Sequence, residues 1–178
     1  MIKRKKLTKN LYLKEVNTDD VNYILKLRTD KHLSKYLNHT PKNKKKQFEW
    51  LNEYFKRRKK KEEFYFIFQI KKNSFFKNLG FARIIKINND TFHFGGWILQ
   101  KNTQPWVALE CCLSIYEYAF NYLSYKKCLL WINLKNLDVI KYHKSLGAKY
   151  VKNNNKEIYL SFNQKNYIRL KKKFKFYY

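Results

Sequence analysis

Apolar residues along the chain follow two rhythms, one of period two and one near 3.6, and their succession sketches a mixed fold. Leu11 to Val16 (LYLKEV) alternates as a short strand. Thr18-Asp19-Asp20 then reads as a helix start with acids in the first turn, and Val21, Ile24, Leu25 and Arg28 keep helical spacing to about Thr29. His32 to Tyr36 is a short helical or irregular piece. A second helix is expected from about Lys44 to Lys60, with Phe48, Leu51 and Phe55 on its apolar face and cations around them. Three runs rich in aromatic and β-branched residues follow, Glu63 to Ile70, Leu79 to Ile87 and Thr91 to Leu99. The polar breaks Lys72-Asn73-Ser74 and Asn88-Asn89-Asp90 are turn chemistry, which predicts an antiparallel meander.

The strongest amphipathic helix is predicted from about Trp106 to Leu123, with Leu109, Cys112, Leu113, Tyr116, Phe120 and Leu123 inward and Glu110, Ser114, Glu117 and Asn121 outward. Cys128 to Asn133 (CLLWIN) reads as a central strand buried on both faces. Asn136 is expected to cap a short helix through Leu146, with Gly147 as its C′ residue. Ala148 to Val151 and Glu157 to Phe162 are closing strands, and a basic tail from Lys171 is expected to fray. The order βαα–βββ–α–β–α–ββ implies an α/β (mixed α+β) fold with helices on both faces of a mostly antiparallel sheet. With no internal repeat or linker, residues 1–178 read as one domain, with a core over about 11–162 and a basic tail over 164–178.

Composition changes the picture in one respect. The net charge of +27 draws attention to nucleic acid. Yet 34 of the 40 basic residues are Lys and 6 are Arg, while Asn occurs 19 times and Ala and Gly 4 times each. Lys, Asn, Ile, Tyr and Phe have A/T-only codons, so the Lys excess says little about partners, and a phosphate reader more often uses the planar fork of Arg. Nucleic acid is therefore not the expected partner. Cys111, Cys112 and Cys128 form no C-x-x-C pair, which suits reduced thiols better than a disulfide framework or a metal site. No apolar stretch follows the basic start as in a signal peptide, and none reaches the length of a membrane span, so a cytoplasmic location is expected.

Three places carry chemistry. They are Gly95-Gly96-Trp97-Ile98-Leu99 at the end of a strand, Thr103-Gln104-Pro105-Trp106-Val107-Ala108 opening the long helix, and Asn136-x-x-Val139-x-x-x-His143-x-x-x-Gly147-Ala148. Taken in this order, they resemble the GNAT acyltransferases over Leu11 to about Phe162. The likeness is to the branch holding ribosomal-protein N-terminal acetyltransferases and the amino-sugar acetyltransferases of polysaccharide pathways. The third place is similar to the family's Asn-x-x-Ala-x-x-x-Tyr-x-x-x-Gly-Phe signature, with His143 where the family has Tyr. The second departs from the family's Gln/Arg-x-x-Gly-x-Gly/Ala loop, because neither glycine is present and only the helix N-terminus remains to meet phosphate.

The resemblance implies an acetyl-CoA-dependent N-acetyltransferase without a metal. Trp97, Ile98, Leu99, Gln104, Trp106, Val107, Ala108 and Asn136 would hold the cofactor. The splay between the Gly96–Leu99 strand and Cys128–Asn133 would take the pantetheine. His143 would protonate the departing thiolate, or else serve only as a cation suited to a helix C-terminus. His93 lies near where many relatives place a base, or is a surface strand histidine. Glu110 reads first as a complement to the helix dipole and Asn136 as an N-cap. Cys111 and Cys112, with no partner base, and Trp97, Trp106 and Trp131 read mainly as packing. The implied acceptor is a nucleotide-linked amino sugar of surface-polysaccharide synthesis, with a protein N-terminus as the alternative. A scaffold that has lost catalysis and binds nucleic acid is the reading from another class. A homodimer is compatible with all of these.

Overall fold

The computed structural model describes residues 3–178. Its elements are β1 (Arg4–Lys6), β2 (Leu11–Glu15), α1 (Val21–Arg28), α2 (Lys44–Lys59), β3 (Glu63–Lys72), β4 (Phe75–Lys86), β5 (Thr91–Leu99), α3 (Pro105–Glu117), β6 (Lys127–Asn133), α4 (Leu137–Ser145), β7 (Lys149–Asn153), β8 (Glu157–Asn163) and α5 (Gln164–Lys173). They build one eight-stranded sheet in the order β1-β2-β3-β4-β5-β6-β8-β7. Every neighbouring pair is antiparallel except β5 and β6. The mixed α/β fold expected from the pattern is the fold observed.

Strand alternation divides the core between the two faces of this sheet. Phe64, Phe66 and Phe68 of β3 and Phe92 and Phe94 of β5 meet Cys111, Cys112, Leu113 and Tyr116 of α3 and Ile140 of α4. On the other face Tyr65, Ile67, Phe81 and Ile98 meet Ile24 and Leu27 of α1 and Leu51 and Tyr54 of α2. Gly147 closes α4 with φ +101°. Its amide donates to Lys144 at 2.9 Å and that of Ala148 to His143 at 3.0 Å, the paired bonds of a Schellman turn.

Several elements differ from their sequence reading. The buried face of α2 is Gln47, Leu51 and Tyr54, and Phe48 is exposed. Tyr54 wins the inward position because its hydroxyl accepts the Tyr65 amide at 3.2 Å and its ring stacks on Trp50. Asn17, one residue before Thr18, starts the first helical segment through a capping box with Asp20. Glu110 and Ser114 are fully buried rather than outward. The Glu110 carboxylate accepts from the Asn10 amide (2.5 Å), the Asn10 side chain (3.0 Å) and the Leu11 amide (3.0 Å), and Ser114 bonds Thr8 at 2.9 Å. These partners lie about 100 residues earlier in the chain, so no local pattern announces them.

β6 is buried on one face only, and Trp131 is exposed on the other. Asn136 begins α4 with its backbone alone, since its side chain makes no cap hydrogen bond. The tail does not fray. α5 opens with a capping box between Asn163 and Asn166, and Tyr167 and Leu170 are its buried residues. Lys171 pairs with Glu117 at 2.8 Å, and the Tyr177 carbonyl accepts the Lys9 amide at 2.7 Å.

Candidate active site

Two irregularities of β5 create the site. The first is its short pairing with β6, which covers Thr91↔Lys127, Phe92↔Cys128 and His93↔Leu129 and then stops. Beyond His93, β5 stays with β4 while β6 runs on beside β8 to Asn133, so a cleft opens between Gly95–Leu99 and Leu130–Asn133. The second is a bulge. Phe81 faces Ile98 and Arg83 faces Gly95, which leaves Gly96 and Trp97 together opposite Ala82. Gly96 sits at φ +60°, and a Cβ there would lie 2.8 Å from the Arg83 Nε. Glycine is required on both counts.

The bulge keeps Phe94 and Trp97 on the α3–α4 face, and that is where His143 lies. Its ring is 5.8 Å from Phe94 and 5.7 Å from both Trp97 and Tyr142. His143 is buried, and burial pushes its pKa down to about 4. Burial thus favours the neutral imidazole, which argues against the helix-end cation reading. Its Nδ1, Trp97 Nε1 and Tyr116 Oη are all buried without a hydrogen-bond partner among the described residues, and Tyr142 Oη has only the weakly bonding Cys112 thiol beside it. Each such atom costs roughly 1–3 kcal/mol if left unmet. His143, Trp97 and Tyr142 are ring neighbours beneath the splayed end of β5, where a polar guest such as the amides of a pantetheine arm would suit their polar atoms. Tyr116 lies deeper, between Phe94 and Phe162.

His93 lies across the sheet from His143. It is buried against Trp131, with ring centroids 4.1 Å apart and nearly parallel planes, so it is no surface histidine. Its Nδ1 lies 3.0 Å from the Leu129 carbonyl, which only accepts, so Nδ1 carries the proton and Nε2 keeps a free lone pair. That Nε2 packs over Gly95, where a Cβ would approach to 2.1 Å. Burial first, and then the charge of Arg83, push the His93 pKa down to about 4. The two histidines thus flank the cleft from opposite faces.

The remaining expected residues are only partly gathered. Trp97 and Leu99 border the cleft, whereas Ile98 turns into the α1–α2 core. Gln104, Trp106, Val107 and Ala108 form the start of α3, with Pro105 at its first position and no side-chain cap at Gln104. Pro105 has no N–H and the Val107 amide donates to the Gln104 carbonyl at 2.9 Å, which leaves the Trp106 amide as the first-turn donor. Cys111, Cys112 and Cys128 are buried with thiol pKa values pushed up by burial, so none is a ready nucleophile. Among the described residues no cluster of three or more His, Cys, Asp or Glu could hold a metal, and no helix is long and apolar enough to cross a membrane.

The sequence reading missed a cavity of about 470 Å³ on the α1–α2 face. Its wall includes Arg28 of α1, Lys46 and Trp50 of α2, Tyr65 of β3, Arg83 of β4 and Gly96 at the bulge. Arg28 donates to Thr40 Oγ1 and the Asn38 carbonyl, both 2.9 Å away. Arg83 pairs with Glu63 at 3.0 Å. No carboxylate lines the cavity. One signal was present in the sequence: two of only 6 Arg in a Lys-dominated chain meet here.

Known proteins resemble this arrangement. The family model described as "Acetyltransferase (GNAT) domain" matches residues 10–149. No protein of curated function matches. Among solved structures, apo FdhC, described as a nucleotide-linked sugar GNAT, superposes with a TM-score of 0.86 at 25% identity over 98% of both chains. The spermidine N-acetyltransferase of Vibrio cholerae, in complex with CoA and spermine, gives 0.71 at 17% identity over 89% of this chain and 98% of its own. A domain from Methanocaldococcus jannaschii gives 0.68 at 19% over 88% and 99%. These matches lend nothing to the ribosomal-protein side of the resemblance. With the family model spanning most of a sheet splayed in this way, the chain belongs to the GNAT acetyltransferase family and is an acetyl-CoA-dependent enzyme.

Proposed function

We propose that this acetyltransferase acylates the amino group of a nucleotide-linked amino sugar, as expected of an enzyme of surface-polysaccharide synthesis. The observation that carries the reading is the cavity beside Gly96, which presents Arg28, Lys46 and Arg83 and no carboxylate. A diphosphate is complementary to such a wall, whereas a polyamine would meet only like charge. The likeness to a nucleotide-linked sugar GNAT supports the same choice over the spermidine enzyme.

Acetyl-CoA, when bound, supplies the acetyl group as a thioester. The chain contributes groups on both sides of the cleft. His93, on the α1–α2 face, offers the Nε2 lone pair that takes a proton from the acceptor ammonium. His143, neutral on the α3–α4 face, offers an imidazole N–H as a hydrogen bond to the departing sulfur, whose proton comes from the acceptor nitrogen as it is acylated. Trp97 and the α3 N-terminus orient the donor.

Thiol release should be followed with UDP- and dTDP-linked 3-amino and 4-amino deoxysugars, the free amino sugars, spermidine and an N-terminal peptide. The nucleotide-linked sugars should react fastest by kcat/KM, with the free sugars well below them. Faster turnover of spermidine or the peptide would reject the reading.

A further inference from the structure

Glu63 opens β3 just outside the cavity and is buried, with its carboxylate between two guanidinium groups. Oε1 accepts from Arg83 Nη1 at 3.0 Å and Oε2 from Arg57 Nε at 2.7 Å. Both guanidinium carbons lie 5.4 Å from the ring centroid of Trp50, so one indole and one carboxylate hold both arginines. The rest of the Arg83 head faces the bulge, where Nε and Nη2 lie 2.8 and 3.4 Å from the position of a Gly96 Cβ. One carboxylate between two cations leaves a unit of positive charge uncompensated. Arg28 adds another, because its partners Thr40 and Asn38 are neutral.

We propose that Glu63 is a positioning residue of the acceptor site, aiming Arg83 at the anionic group of the acceptor without touching it. The inference rests on the anionic-acceptor reading above, and it adds the part that makes Arg83 rigid. A free Arg side chain on a strand loses several rotors when it meets a phosphate. Arg83 is already fixed by a buried carboxylate and an indole, so less is lost on binding.

Electrostatics alone and positioning predict opposite signs. Glu63→Gln removes a negative charge near the cavity and makes it more positive, which by itself tightens anion binding. The introduced carboxamide also has one acceptor oxygen for two guanidiniums and turns an NH2 towards the other, so the clamp on Arg83 is loosened. Positioning therefore predicts that the KM for the UDP-linked 4-amino deoxysugar rises about tenfold, the worth of one charge-assisted hydrogen bond. The KM for acetyl-CoA should stay within about twofold of wild type. Glu63→Asp, which keeps the charge but shortens the reach, should fall between the two. The comparison variant is Arg83→Gln. If Arg83→Gln raises the acceptor KM while Glu63→Gln leaves it unchanged or lowers it, the role of Glu63 is refuted and the anionic-acceptor reading stands. If neither variant moves it, the cavity does not receive the anion and both fall. Equal shifts in both KM values, with a lower melting temperature in Gln and Asp variants alike, would mark Glu63 as merely structural and overturn the inference.

Discussion

His93 of β5 donates its Nδ1 proton to the Leu129 carbonyl of β6 across 3.0 Å, at the last register pair before the two strands part. The bond secures the apex of the cleft and sets the tautomer of the imidazole, so one contact joins the architecture to the chemistry. His93→Phe keeps the stack on Trp131 but loses the lone pair. It should lower kcat by roughly 10²–10⁴-fold, the usual worth of a general base, while stability falls by no more than about 1–3 kcal/mol, the cost of losing one buried hydrogen bond. A near-normal kcat in the folded variant would remove His93 from the mechanism.

His143→Ala should lower kcat by roughly 10²–10³-fold and leave the KM for acetyl-CoA nearly unchanged, because a hydrogen bond to the developing thiolate is made in the transition state. His143→Tyr should recover part of the rate, since a phenol stands at this place in the family signature. Single-turnover measurements on the folded variants decide the matter, and turnover near wild type in the Ala variant would exclude the role.

The same two histidines make stability depend on pH. Both have pKa values pushed below the ordinary 6.5 to about 4 by burial, so the unfolded chain binds more protons than the folded one between those values. Their contribution is complete above pH 6.5 and is lost as the pH falls towards 4. Chemical denaturation at half-unit steps should show this acid-side slope in the wild type. In His143→Phe the slope should be shallower by about one proton, roughly 1.4 kcal/mol per pH unit. An unchanged slope would contradict the buried neutral state.

Gly96→Ala tests the bulge. The left-handed φ of +60° and the 2.8 Å approach to Arg83 Nε act together, so the variant should lose about 1–3 kcal/mol of stability and bind the acceptor more weakly. Gly147→Ala, also at positive φ but with its nearest atom 3.6 Å from a Cβ, should lose about 1 kcal/mol and keep its acceptor KM. Denaturation midpoints and acceptor kinetics of the two variants separate backbone strain from the crowding of Arg83.

Glu110→Gln should destabilise by about 2–4 kcal/mol. It keeps one oxygen for the Asn10 and Leu11 amides, but it removes the buried charge they share and sets an NH2 against Asn10 Nδ2 in place of the second oxygen. Unfolding in guanidinium chloride gives the value directly, and a change under about 0.5 kcal/mol would show that the clamp between β2 and α3 is not tight.

Much of this molecule follows from its local patterns. The period-two runs of β3, β4 and β5 and the polar breaks between them define hairpins whose contacts are near in sequence. Gly147 marks the end of α4 because a left-handed residue is needed there whatever surrounds it. The spacing from Asn136 to Gly147 placed His143 one turn before that end, whereas Gly95-Gly96 did not by itself reveal the bulge at Gly96. What the pattern left open depends on partners distant in the chain. Phe48 and Tyr54 are equally suited to face inward on α2, and the Tyr65 amide, not hydrophobicity, selects Tyr54. Glu110 and Ser114 look like surface residues until the segment from Thr8 to Leu11 is laid across them. Trp131 looks like core until the tertiary structure leaves that face of β6 exposed at its position. The cavity is the clearest case. Arg28, Lys46 and Arg83 come from three elements, and nothing in their spacing says that they share a wall. A local pattern encodes which face of an element is apolar; only the pairing of elements decides which charges meet and which are left without a counterion.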